Sequence, residues 1–193
     1  MDTRTTRSGQ RAGAAYVPVT RGAHRHRGAR APELATLRAW ASVLPSDACF
    51  THVTAARLLG LWLPPLPADL VTLAALPPGA HPVRRRGLRA SRSLPSEAHR
   101  MVQGLRVAPT ADVLLCLCRD LADLDALMAV DSALHQELVT VDLLLRSDEM
   151  LADVDRSLGR ASDRRRLSSW HELLRTSALT SAGRDVLWPR LQK

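Results

Sequence analysis

Apolar positions recur along this chain with two periods, and the change between them near Pro109 divides it. Leu34, Leu37, Trp40, Ala41 and Leu44 fall at helical spacing; Pro32 opens that helix at a first helical position and Pro45 closes it. In the next stretch, FTHVTAARLLGLWLP (Phe50 to Pro64), Val53, Ala56, Leu59 and Leu63 repeat the spacing. Thr51 or Thr54 supplies its cap and Gly60 its stop, which predicts a buried helix of about two turns. Trp62 and the prolines 64, 65 and 67 then turn the chain toward extended structure.

The period shortens from there. Asp69 to Leu76 (DLVTLAAL) is short, apolar and bounded by prolines, and predicts a strand. The turn Pro77 to Pro82 leads into Val83 to Leu94, where Leu88, Ala90 and Leu94 alternate with Arg89, Ser91 and Ser93. This is the pattern of a half-buried strand with a basic outer face, one arm of a basic hairpin. Ala98 to Val102 and Leu105 to Ala108 flank Gln103-Gly104 and predict a second hairpin around that two-residue turn. Past Pro109 the helical period returns, with Thr110 as a cap, Asp112 in the first turn and a stripe of Leu114, Leu117, Leu121, Leu124, Leu127, Met128, Leu134 and Leu138. A break is expected near Arg119-Asp120. Thr140 caps a further helix over Val141 to Leu151, Leu158 to Leu174 continues as a basic helix, and Val186, Leu187, Trp188 and Leu191 need an apolar surface to cover them. The fold class expected is α+β: N-terminal helices, a small mostly antiparallel sheet with a basic hairpin, and a helical C-terminal half.

Residues 1–30 lack periodicity except at Ala14 to Thr20, where one short strand is expected within an otherwise disordered basic arm. Charge follows the same divisions. That arm carries seven Arg against Asp2, residues 120–155 carry ten acids against Arg146, and residues 156–193 return to nine basic against three acidic. The net charge of +8 points to nucleic acid or another anionic partner. Yet Lys193 is the only lysine, and Ile and Asn are absent, as the codons of a GC-rich genome dictate, so part of the arginine excess is compositional. The polarity either guides a partner or pairs internally. There is no apolar run of membrane-spanning length and no apolar signal-peptide core, and a cytoplasmic protein is expected.

Candidate chemistry is sparse. The sequence has no glycine-rich phosphate loop, no nucleophile elbow, no histidines at helical metal spacing and no Lys beside clustered carboxylates. Asp120, Asp123 and Asp125 read as a solvated face, because Asp125 turns away from the other two on a helix, and Asp131 reads as an acid at the edge of the core. Cys116 and Cys118 point about 200° apart on a helix, so with Cys49 they read as buried, reduced thiols. His24 and His26 flank Arg25 with no further ligand at metal spacing, in a solvated basic turn. No enzyme activity, cofactor, metal or small-molecule substrate is expected. Arg84, Arg85, Arg86, Arg89 and Arg92 instead concentrate five cations in one element, and Arg21, Arg25, Arg27 and Arg30 add to them from the arm. Guanidinium forks suit phosphates, which makes these residues candidate nucleic-acid contacts; the alternative is a solubilising face.

The order of these pieces resembles a known family. RAWASVLPSDACFTHVTAARLLGLWLPPLPADLVTLAALPPGAHPVRRRGLRASR followed by VQGLRVAPTADVLLCLCRDLADLDALMAVDSALHQELVT is similar to the actinobacterial proteins related to the AbiEi antitoxins of type IV toxin-antitoxin systems, over roughly Tyr16 to Leu145. The resemblance implies a transcriptional regulator that binds double-stranded DNA, a nucleotidyltransferase-type toxin, or both. It implies that AYVPVTRGAHR ends the wing of a winged helix within residues 1–30, that residues 31–150 form the AbiEi-like core, and that residues 151–193 begin a further domain. Relatives often continue there into a very-short-patch-repair-like endonuclease, whose acid and Lys motif is missing from this sequence. The chain is therefore expected to be trimmed at both ends. Two alternatives follow from the same resemblance: a vestigial fragment of a restriction-endonuclease-like protein, and a protein–protein interaction module with no role at nucleic acid.

Overall fold

The computed structural model describes residues 6–9, 13–67, 70–77, 79–81, 83–92, 99–140, 142–144 and 146. They belong to two compact units that divide at Pro109/Thr110, where the sequence period changes. The fold is α+β, with a small antiparallel sheet and a mixed one.

The first unit begins with a three-stranded antiparallel sheet of β1 (Thr6–Ser8), β2 (Tyr16–Thr20) and β3 (Ala23–His26), in the order β1-β3-β2. Periodicity had predicted only one strand here. Strands of three to five residues carry too few alternations to register as a pattern, and an arginine-rich composition hides the rest. Helix α1 (Pro32–Ala41) packs on this sheet. Proline in its first turn behaves as expected, since the missing N–H has no intrahelical partner there. The expected face packs on the core at four of its five positions, with two alanines added to it and Ala41 left out. Ala35, Ala39 and Trp40 are buried, Leu34, Leu37 and Leu44 are half-buried against the core, and Ala41 is exposed. Alanines four apart let the helix backbone approach its neighbours closely.

The second sheet has five strands in the order β6-β5-β4-β8-β7. Its central strand, β4 (Cys49–Phe50), is only two residues long and lies at the edge of what was expected to be helix. Phe50 pairs with Ala74 antiparallel on one side and with Val107 parallel on the other, and its carbonyl accepts from Ala108 N–H at 2.9 Å. One residue thus joins the two halves of the sheet. Helix α2 (His52–Leu59) follows at once and ends as predicted at Gly60, whose φ of +71° is left-handed. Leu61 N–H donates to Ala56 O and Gly60 N–H to Arg57 O, so two terminal carbonyls are satisfied. The predicted threonine cap does not form. Thr51 holds the N-cap position in extended conformation without a side-chain cap, and Thr54 Oγ1 instead accepts from the Leu73 N–H at 2.9 Å, tying α2 to β5 (Thr72–Leu76).

Strand β6 (Leu88–Arg92) runs parallel to β5, from Thr72↔Leu88 to Leu76↔Arg92. The basic segment is therefore not an arm of a hairpin with β5, as the sequence had suggested. Two turns lie between the strands, one closed by Ala80 N–H to Pro77 O and one by Leu88 N–H to Arg85 O, and two reversals restore the original direction. The other hairpin forms as predicted between β7 (Arg100–Val102) and β8 (Leu105–Val107). Gln103 and Gly104 both take positive φ, +51° and +79°, the geometry of a type I′ turn. The core between helices and sheet gathers Trp40, Phe50, Ala74, Leu88 and Leu105.

The second unit contains α3 (Thr110–Asp120) and α4 (Asp123–His135). The break falls where predicted, and α3 buries Leu114 and Leu117 as expected. Across the break the helical phase resets, so Leu124 is 71% exposed and α4 buries Ala126, Ala129, Val130 and Ala133 instead. Thr140 Oγ1 accepts from Leu143 N–H and residues 142–144 are helical, which agrees with a cap at Thr140. The predicted helix over Leu158 to Leu174 and the apolar residues from Val186 to Leu191 lie outside the described residues.

Replacing Trp40 with Ala is expected to destabilise the chain by about 3–5 kcal/mol, and replacing Thr54 with Val by about 1–3 kcal/mol, because the Leu73 N–H loses its acceptor. Denaturant unfolding of the two variants checks both.

Candidate nucleic-acid interface

Two tight turns carry the basic residues to one place. The β2–β3 connection is Arg21-Gly22, between the paired residues Thr20 and Ala23, and Gly22 has φ of +85°. The second turn runs from Arg85 to Leu88, with Gly87 at φ of +84°. Each is an Arg-Gly pair in which the glycine takes the left-handed position that a Cβ disfavours and the arginine occupies the position before it. Helix α1 and the short segment after it lie beneath both turns. A Cβ on Gly87 would meet Trp40 Cζ2 at 3.5 Å, and one on Gly22 would meet Val43 Cγ1 at 4.0 Å.

The turns are joined directly. Arg85 Nη1 donates to the carbonyl oxygen of Arg21 at 2.6 Å, across 64 residues of sequence. Between the turns lies a groove lined by Pro18, Val19, Thr20, Arg21, Arg84, Arg85, Arg86 and Gly87. Four of these eight are arginines and none is acidic. Arg21, Arg84 and Arg86 are exposed, whereas Arg85 is half-buried.

The remaining candidates are placed differently. Arg89 is exposed on β6 two residues beyond the turn, and Arg92 ends that strand in register with Leu76, its side chain outside the described residues. Arg25 lies mid-strand in β3, half-buried. Arg27 sits at the far end of the hairpin from Arg21, about 13 Å along a four-residue strand, and its Nε donates to Ala14 O at 3.0 Å. Arg30 is exposed just before α1. The structure therefore gathers Arg21 with Arg84, Arg85 and Arg86, and sets Arg25 and Arg27 apart from them.

Arginine bracing of backbone recurs. Arg38 Nη2 on α1 donates to Gln103 O at 3.2 Å, holding the β7–β8 turn as Arg85 holds the β2–β3 turn. Sequence reasoning treated Arg85 as one more cation and passed over Arg38. A fork with five donors can serve a carbonyl in a distant segment, which no local spacing reveals.

The histidines do not form a basic turn in solvent. His24 is buried on β3 with its Nδ1 unpartnered, while His26 Nδ1 accepts from Gly28 N–H and its ring meets Tyr16 edge-on at 5.4 Å. Among the described residues, no three His, Cys, Asp or Glu side chains are grouped to hold a metal ion. Cys49, Cys116 and Cys118 are thiols rather than disulfide partners; Cys118 is buried and the other two half-buried. Asp120 and Asp123 are exposed and Asp125 and Asp131 half-buried. Among the described residues, no helix is long and apolar enough to cross a membrane.

Comparison of the chain with protein-family models, with curated proteins and with solved structures finds no match.

Gly87→Ala is expected to cost about 1–2 kcal/mol through backbone strain alone, since the new methyl would make only ordinary contact with Trp40. Thermal unfolding measures it, with Gly79→Ala, at φ of +79° and with open space around its Cβ, as the matched control.

Proposed function

We propose that the chain is a non-catalytic, antitoxin-like or transcription-regulator-like DNA-binding protein. The observation that carries this reading is the groove in which Arg21 and Arg84, Arg85 and Arg86, 63 to 65 positions apart in the chain, come together with no acidic lining residue among the described residues. Guanidinium groups gathered along one groove suit phosphates, and phosphate contacts supply a large share of the affinity of a DNA-binding protein. The resemblance to AbiEi-type antitoxins favours the same class of function, and it supplies a second partner. In that reading the acidic second unit, with exposed Leu124 between Asp123 and Asp125, is the surface for a nucleotidyltransferase-type toxin. An exposed leucine among acids suits a basic protein surface with an apolar spot, and it has no use at DNA.

The test is a salt titration of the full chain's binding to duplex DNA carrying its own promoter, against an unrelated duplex of equal length. The expected result is tighter binding to the promoter, with log K falling linearly in log salt on both duplexes. Equal, weak binding on both would remove the regulator, and no binding to either would remove DNA.

A further inference from the structure

We infer that the two Arg-Gly turns form a single cradle for the phosphodiester backbone of duplex DNA, in which Arg21, Arg84 and Arg86 contact phosphates and Arg85 positions the turns without contacting DNA. The inference deepens the DNA-binding reading and rests on it. It divides among four arginines roles that sequence alone treats as equal.

The division follows from geometry. Arg85 is the one arginine of the four that is half-buried, and its Nη1 already donates to Arg21 O at 2.6 Å. Its own carbonyl closes the second turn by accepting from Leu88 N–H at 3.1 Å. Arg85 is thus held at its backbone and at the end of its side chain, and it fixes the spacing between the turns. Arg21 and Arg86 each precede a glycine with φ near +85°, and with Arg84 they are exposed. Tight turns resting on Trp40 and Val43 hold their Cα positions, so less freedom is lost when a phosphate binds than for an arginine on a mobile arm.

Duplex is favoured over single strands by what surrounds the cradle. Base stacking needs an exposed aromatic face, and among the described residues no aromatic lines the groove. Tyr16 stands at the far end of β2 against His26, Trp40 and Phe50 are 2% exposed in the core, and Trp62, 36% exposed, is not among the groove's lining residues. What remains is a groove lined by four arginines, whose guanidinium forks suit the phosphates of a double helix. An extended acidic peptide is the other anion of comparable charge. The polyglutamate arm of the test below separates the two.

The test uses the full chain and a duplex of arbitrary sequence, so it does not depend on promoter selectivity. Arg84→Ala/Arg86→Ala is expected to lower the slope of log K against log salt by about 2, one for each phosphate no longer neutralised. Arg85→Ala is expected to lower it by 2 or more, because the cradle comes apart, and Arg85→Lys to restore it, since one ammonium N–H suffices for one carbonyl. A wild-type slope in the double variant overturns the cradle even where DNA binding stands. A decrease of only about 1 in Arg85→Ala makes Arg85 an ordinary phosphate ligand and overturns its positioning role. A polyglutamate peptide that loses binding to the double variant, while the duplex does not, assigns the cradle to acidic protein and overturns the inference.

Discussion

Trp40 has to be covered, and much of the first unit is arranged around covering it. It is the largest side chain in the core and is 2% exposed at the end of α1. Gly87 closes over its ring edge, and Val43, just beyond the helix, lies beneath Gly22. Burying an indole stabilises the fold by several kcal/mol relative to leaving it exposed, of the order lost when a core Trp is cut to Ala (~3–5 kcal/mol). Trp40 beneath Gly87 and Val43 beneath Gly22 set the Arg85–Leu88 turn and the β2–β3 turn at the same end of the helix. The positive groove is thus a consequence of core packing. It places Arg21, Arg84, Arg85 and Arg86 along one groove, because the residues beneath the two turns are held together.

Phe50 is the matching constraint on the sheet. With only two residues, β4 has little pairing energy of its own, yet Phe50 links the β5–β6 pair to the β7–β8 hairpin. Thr51 N–H extends the link by donating to Leu73 O at 3.1 Å, and Thr54 Oγ1 repeats it from the first turn of α2. The stretch from Cys49 to Gly60 therefore acts as strand, junction and helix in succession, with His52 at φ of +50° where the chain changes direction.

The parts that could be read from the sequence were those with a strong local cause. Gly60 ends α2, Gln103-Gly104 makes a type I′ turn, Pro32 opens α1, and the break before Asp123 separates two helices, each decided by one or two residues. The parts that could not be read depend on distant segments or on residues without a distinctive signal. Alanine is abundant in a GC-biased chain, so nothing marked Ala35, Ala39, Ala126, Ala129 or Ala133 as buried. The alternation at Leu88 correctly predicted a strand, but strand direction depended on a second turn, and the parallel pairing with β5 followed. Of the candidate site, the clustering of Arg84 to Arg86 was visible in the sequence. That Arg21 joins them, that Arg27 lies elsewhere, and that Arg85 is held by a carbonyl 64 residues away became visible only in three dimensions.

The two Arg-Gly turns, on the reading proposed above, form one surface that takes nucleic acid. Amide hydrogen exchange of the intact chain, with and without saturating duplex DNA, tests it most directly. Added protection is expected to appear together at 20–23 and 84–88, with no change in α3 and α4. Protection confined to the helices of the second unit, or at one turn without the other, would contradict it.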